Sequence, residues 1–187
     1  MVKQERSDEF EIKWKPFALA QVNQKMGEGY KVWDEPENSH PPGLWGLRAW
    51  VAAGRQGQDL LDRFLMLLLT ARHVDRKELG DFEVLRSVAL EAGLDVDKFM
   101  NDLSDPSSLQ EVIKSHEEAV QQYGVFGTPT FRFSNGGSAF LKLLRPDTQE
   151  QALRSFDLLK KLMEDELFVG EFKRPQPPWP KGVFNSP

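Results

Sequence analysis

Apolar residues recur at helical spacing through most of this chain, and they alternate in only a few short places. Phe10, Ile12 and Trp14 fall on one side of an alternating run, which predicts a half-buried strand over Glu9–Trp14, ended by Pro16. Gln21–Pro42 carries Gly27, Gly29, Pro36, Pro41 and Pro42 and reads as a long irregular connection. Leu44, Leu47 and Val51 then predict a helix over Leu44–Ala53. Gln58–His73 is apolar almost all round, which predicts a helix central to a bundle. Phe82, Leu85, Val88 and Ala89 mark a helix over Phe82–Ala92 that Gly93 stops. Val96–Leu103 is a short helix, and Pro106 opens the next one at its first position. That helix has a stripe of Leu109, Val112, Ile113, His116 and Val120.

Beyond it, Thr130–Phe133 is β-branched and aromatic, and reads as a strand. Asn135-Gly136-Gly137 is a hairpin turn, and Ser138–Leu143 returns antiparallel. Thr148 with Gln151 three residues on makes a capping box for a final helix with Leu153, Phe156, Leu159, Met163 and Leu167 in its stripe. The proline-rich tail Lys173–Pro187 is expected to run extended.

Composition narrows the function. With 187 residues the chain is large enough for one well-cored domain, or one domain with an insertion. A net charge of −5 argues against nucleic acid, whose phosphates need a basic surface. The longest apolar run, Phe64–Leu69, is far short of a bilayer span, so no membrane partner is expected, and no signal peptide is visible. The cysteine count is zero, which removes disulfides, thiolate catalysis and cysteine-ligated zinc from these residues. His40, His73 and His116 lack ligand spacing, so no metal site is expected.

The most distinctive run is Gly124–Phe133, Gly-Val-Phe-Gly-Thr-Pro-Thr-Phe-Arg-Phe. Pro129 fits only at the first residue of a strand or at a bulge, because it cannot donate to a ladder. Gly124 and Gly127 let the backbone bend and approach a neighbour. On spacing alone, a trans proline opening a strand is the ordinary case. A cis Thr128–Pro129 bond would instead turn the Thr128 amide and carbonyl out of the sheet, free to pair with an extended guest.

This run, with the helix-like Ile113–Val120 before it and Phe10–Leu19 far upstream, resembles the DsbA-like thioredoxin family. The similar branch includes the FrnE-type oxidoreductases, the hydroxychromene-carboxylate isomerases and the kappa-class glutathione transferases. The resemblance runs from about Glu9 to Lys173. It implies an α/β, thioredoxin-like fold with an inserted helical subdomain. Residues 1–41 and 104–170 would form the partial thioredoxin-like domain, 42–103 the insertion and 171–187 the tail. It further implies a cis Pro129 and a site in which Gly127, Thr128 and Pro129 hold substrate through the backbone. His116 is placed with them as a polar group at the site's edge, the bland alternative being a helix histidine with no role.

The family's first strand and its Cys-X-X-Cys or Ser motif have no counterpart here, since Met1–Asp8 cannot supply a strand and a helix. Two readings follow. The chain is a piece that starts at an internal methionine, or it is a member that has lost its redox centre. The first is favoured, because the missing strand would be the central one of the sheet. Without it, Glu9–Trp14 and Thr130–Phe133 keep unpaired inner edges, to be closed up, left as a slot, or filled by another chain such as a second copy in a homodimer.

The implied function is that of a thiol-disulfide oxidoreductase-like protein, redox-inactive as given, acting on a peptide or small thiol in the cytoplasm. The alternatives are a non-redox binding protein, or an isomerase or transferase using an upstream Ser. Whether the chain is itself an enzyme stays open. No residue of it is assigned as catalytic and no resident cofactor is expected, a low-molecular-weight thiol such as glutathione being the implied cosubstrate. Trp33, Trp45 and Trp50 read as anchors of the loop and insertion, or as an aromatic wall of a cleft. No P-loop, dinucleotide fingerprint or nucleophile elbow occurs.

Overall fold

A computed structural model describes residues 2–6, 8–143, 146–166 and 168–170. Leu167 and the tail from 171 to 187 lie outside the described residues. The chain forms two compact units, one of Trp14–Gly127 and one joining the chain up to Lys13 with the chain from Thr128 onward.

The Trp14–Gly127 unit is helical. After a short helix α2 (Leu19–Val22) and a 3-10 turn at Glu37–Ser39 come α3 (Pro42–Gly54), α4 (Gln58–His73), α5 (Phe82–Ala92), α6 (Val96–Ser104) and α7 (Pro106–Tyr123). Three aspartates start the last three of these. The Asp81 carboxylate accepts the Glu83 amide at 2.9 Å, Asp95 that of Lys98 at 2.9 Å and Asp105 that of Ser107 at 2.7 Å. Each satisfies a donor that the first helical turn leaves without a partner. Pro106 sits at the start of α7, where its missing N–H costs nothing. α5 ends at Gly93 and α7 at Gly124, both left-handed, with φ of 84° and 62°.

The main core joins Ala49, Ala52 and Ala53 of α3 to Phe64, Leu65 and Leu68 of α4, Leu85 and Val88 of α5, and Phe99 and Leu103 of α6. Phe64 and Phe99, both fully buried, meet with ring centres 5.4 Å apart. A second cluster packs Trp33, Val32 and Ala18 from the irregular segment against Leu44 and Val51 of α3 and Val112 of α7. The small residues on α3 allow both neighbours to come close. A side chain at Gly46 would begin 2.9 Å from Leu79 Cδ1. α4 departs from expectation. It buries one face only and leaves Met66 and Leu69 exposed, because its apolar residues outnumber the positions its neighbours cover.

The other unit contains α1 (Val2–Glu5), the hairpin β1 (Thr130–Arg132) and β2 (Ser138–Phe140), and α8 (Gln149–Asp165). The strands are antiparallel, with Thr130 opposite Phe140 and Arg132 opposite Ser138. The Thr148 hydroxyl accepts the Gln151 amide at 3.2 Å, and the Gln151 side chain returns to the Asp147 amide at 2.8 Å, a capping box shifted by one residue. Arg6 pairs with Asp157 through both guanidinium nitrogens, and Phe10 stacks on Phe156 at 4.9 Å. Glu9–Trp14, expected as a strand, is not one. Alternation alone makes no ladder, and among the described residues no strand pairs with it.

The hairpin turn is bolted to α8. The Asn135 side-chain amide donates to the carbonyls of Met163 and Glu164, each at 3.2 Å, and its oxygen accepts the Gly137 amide at 3.0 Å. These carbonyls lie in the last turn of α8, where among the described residues no helical amide reaches them. Gly137 is pressed so closely on the Met163 carbonyl that a Cβ would overlap its oxygen. Gly137→Ala should therefore lower stability by about 1–3 kcal/mol, the range for a steric or hydrogen-bond disruption of this kind. Urea unfolding followed by circular dichroism measures it. A change within about 0.5 kcal/mol, as for an ordinary surface substitution, would contradict the close contact.

Candidate functional site

The segment from α7 to β1 is built by local rules. Gly124 takes the left-handed conformation at the end of α7, and its amide and that of Val125 bond back to Val120 and Ala119 at 3.1 and 3.0 Å. This double bond back to the last turn is the usual way of closing a helix with glycine. Val125, Phe126 and Gly127 follow, and Gly127, which is buried, closes its unit.

Thr128 opens the other unit, and the Thr128–Pro129 peptide is cis. The Pro129 carbonyl accepts the Leu141 amide at 3.1 Å, adding a rung to the hairpin next to β1. Thr128 stands one residue outside that ladder. Among the described residues its amide and its carbonyl make no hydrogen bond, and the residue is exposed. A donor and an acceptor on one exposed peptide position can serve an extended chain as a strand edge does.

Of the four residues read from sequence as a substrate site, Thr128 and Pro129 stand together in one unit, and Gly127 and His116 belong to the other. His116 is buried on α7, only 5% exposed. Phe17 lies 4.6 Å from its ring centre and Trp33 meets it edge-on at 5.4 Å. Its Nδ1 is buried without a hydrogen-bond partner among the described residues. Next to it the Ser115 hydroxyl donates to the Pro16 carbonyl at 2.9 Å, which fixes the entry of the irregular segment onto α7. Burial pushes the His116 imidazole below its ordinary value, the Lys31 ammonium adds to this, and the Glu117 carboxylate opposes it. His116 is thus a ring in an aromatic clamp that favours its neutral form. Trp33 belongs to the same clamp. Trp45 and Trp50 pack at the rim of the main core.

Among the described residues no group of three His, Asp or Glu could hold a metal, and no helix is long and apolar enough to cross a membrane. Sequence reading passed over Arg48 altogether. The signal was available: Arg48 lies one turn from Leu44 and one from Val51, on the buried stripe of α3, where a cation demands partners.

The family model for the DSBA-like thioredoxin domain matches residues 44–154, more than half of the chain and inclusive of Gly124–Phe133. The chain belongs to the DsbA-like thioredoxin-domain family. A relative is the ClpXP adapter protein SpxH of Shouchella clausii (strain KSM-K16), 33% identical over 87 residues. The match covers 46% of this chain and 29% of that protein, so the chain spans less than a third of this relative's length.

The pH response of the clamp follows from its sign. A histidine with a folded pKa below its unfolded value of about 6.5 leaves stability whole above that pH, and stability is lost as pH falls through it toward the folded value. Urea midpoints at about pH 7.5 and pH 5 should thus differ more in the parent chain than in His116→Phe, which keeps an aromatic ring between Phe17 and Trp33 but cannot take a proton. Equal pH dependence of the two proteins would contradict the clamp as described.

Proposed function

We propose that this chain supplies the substrate-holding part of a thiol-disulfide oxidoreductase-like protein of the DsbA-like family. Membership of that family carries the reading. Two features of the chain support it: the unpartnered Thr128 peptide position beside the hairpin, and the total absence of cysteine. Exchange needs a thiolate that attacks a disulfide sulfur and forms a mixed disulfide. No residue of these 187 can do that, so the sulfur comes from elsewhere. Within this reading a strand and a Cys-Pro-X-Cys or Ser segment stand upstream, as in the FrnE-type, isomerase and kappa-class branches, and the protein acts in the cytoplasm. Gly127, Thr128 and Pro129 hold an extended peptide or a small thiol, His116 shapes the unit that Gly127 closes, and 42–103 is the inserted helical subdomain.

A second reading has a specific observation behind it. The relative in Shouchella clausii is named an adapter protein, and a cysteine-free member of the family can still bind without redox chemistry. The two readings part at the complete reading frame. If the frame continues upstream into Cys-Pro-X-Cys and its full product reduces insulin, the oxidoreductase reading stands. If a stop codon lies directly before the Met1 codon, it fails and the binding protein remains. In either case the 187-residue chain alone should show no insulin reduction above buffer.

Backbone pairing makes a further prediction. An extended peptide that binds this segment should lose affinity roughly fivefold when its own backbone nitrogen facing Thr128 is methylated, since one hydrogen bond is worth about 1 kcal/mol. Thr128→Val, which changes only the side chain, should leave affinity within about twofold. Isothermal titration calorimetry reads both. The opposite pattern would assign recognition to the side chain.

A further inference from the structure

Arg48 is fully enclosed in the helical unit, although it is a permanent cation. Its Nε donates to Ser108 Oγ at 3.0 Å and its Nη1 to Glu37 Oε1 at 2.6 Å. Its guanidinium carbon lies 4.2 Å from the centre of the Trp45 ring. Nη2 is buried with no hydrogen-bond partner among the described residues. The Ser108 hydroxyl is itself held by the Asp105 carbonyl at 2.8 Å, so the α7 side of this arrangement is fixed. Asp105 also senses the charge: its carboxyl is held low first by its bonds to Ser107, and further by Arg55 and Arg48.

The other side is not fixed in the same way. Glu37 sits on a single 3-10 turn with its side chain 60% exposed, and it takes up only one of the two terminal nitrogens of Arg48. A carboxylate can pair with a guanidinium through two parallel hydrogen bonds, and here one of them is unmade. Close by, His40 is buried, and its Nε2 lies 2.9 Å from the Glu35 carbonyl. A carbonyl only accepts, so Nε2 carries a proton, and Nδ1, which in that tautomer of the ring is an acceptor, has no partner among the described residues. Glu37, His40 and Trp45 line an open cleft of about 550 Å³, together with Asn38, Phe82 and Ser104. Trp45 and Phe82 meet edge to face at 4.8 Å and give the cleft an apolar wall.

We propose that this cleft binds a terminal carboxylate on an N-acylated apolar residue, with Glu37 as an internal stand-in that holds the site closed. The ligand carboxylate displaces Glu37 and pairs with both Nη1 and Nη2 of Arg48. Its amide N–H meets His40 Nδ1, and its side chain lies on Trp45 and Phe82. One molecule thereby satisfies the buried donor and the buried acceptor that the chain leaves unpaired. Arg48 is fully buried and lies behind the residues that line the cleft, so binding is coupled to withdrawal of the Glu37 side chain from Nη1. The same chemistry occurs in a free N-acyl amino acid and in the last residue of a peptide. The site uses no residue of Gly124–Phe133 and does not depend on the function proposed above.

The test compares the parent chain with Glu37→Gln, which weakens the latch at an exposed position. Both are titrated calorimetrically with N-acetylphenylalanine and with a pentapeptide ending in phenylalanine, each as free acid and as carboxamide. At least one acid should bind, its amide at least tenfold more weakly, and Glu37→Gln should bind that acid at least tenfold more tightly than the parent. Binding of the free amino acid derivative alone identifies a small-molecule source, and binding of the pentapeptide a protein terminus. On the parent chain, the Trp45 indole N–H resonance should shift on titration with the acid and need at least tenfold more of the amide for the same shift. Equal binding of acid and amide, no gain in Glu37→Gln, or no binding of either acid to either protein overturns the proposal.

Discussion

Thr128 stands one residue outside a β ladder that its neighbour has already joined. Pro129 gives its carbonyl to Leu141, while neither polar group of the Thr128 peptide position is paired among the described residues. Backbone donors and acceptors are almost always satisfied in folded proteins, by the protein, by water or by a ligand. At an exposed position water serves until something better arrives. The sequence around it is arranged to deliver this result. A left-handed glycine stops α7, a proline that cannot donate follows Thr128, and the Asn-Gly-Gly turn returns the chain to close the hairpin on the far side.

The absence of cysteine removes thiolate attack on a disulfide from these residues. A DsbA-like thioredoxin domain with no thiol in these residues can present a peptide edge, but has nothing with which to attack a disulfide. The same economy shows in the polar groups that the helical unit buries. Arg48, His40 and His116 are each enclosed with one nitrogen unpaired among the described residues. For His116 the consequence is local: a ring whose neutral form is favoured between Phe17 and Trp33. For Arg48 it is open-ended, because a permanent cation must have an anion, and the carboxylate that serves is on an exposed turn.

Much of the helical architecture was legible from residue order. Gln58–His73 and Phe82–Ala92 carry their periodicity and their stops in sequence, and Pro106, Gly93 and Thr148 stand where cap geometry requires them. What was not legible depends on partners far along the chain. Phe10, Ile12 and Trp14 alternate, yet a strand exists only where another strand pairs with it, and Phe10 instead stacks on Phe156. The apolar surface of α4 exceeds what its neighbours cover, and periodicity does not say which side stays wet. Asn135 read as a turn former, and its second task, capping the last carbonyls of α8, lies 28 residues away. Of the candidate site, Gly127, Thr128 and Pro129 were marked by the resemblance of their run to the DsbA-like family and not by spacing, whereas the clamp around His116 arises from Phe17 and Trp33 in a segment that reads as irregular.

Amide hydrogen exchange at single-residue resolution tests the central claim most directly. In the free chain the Thr128 amide should exchange as fast as an unstructured amide while the Leu141 amide, bonded to Pro129, is protected. On saturation with an extended peptide ligand, Thr128 should become protected as well. Protection of the Thr128 amide in the free chain would mean that it is already paired within the protein, and the substrate-holding role of this segment would be contradicted.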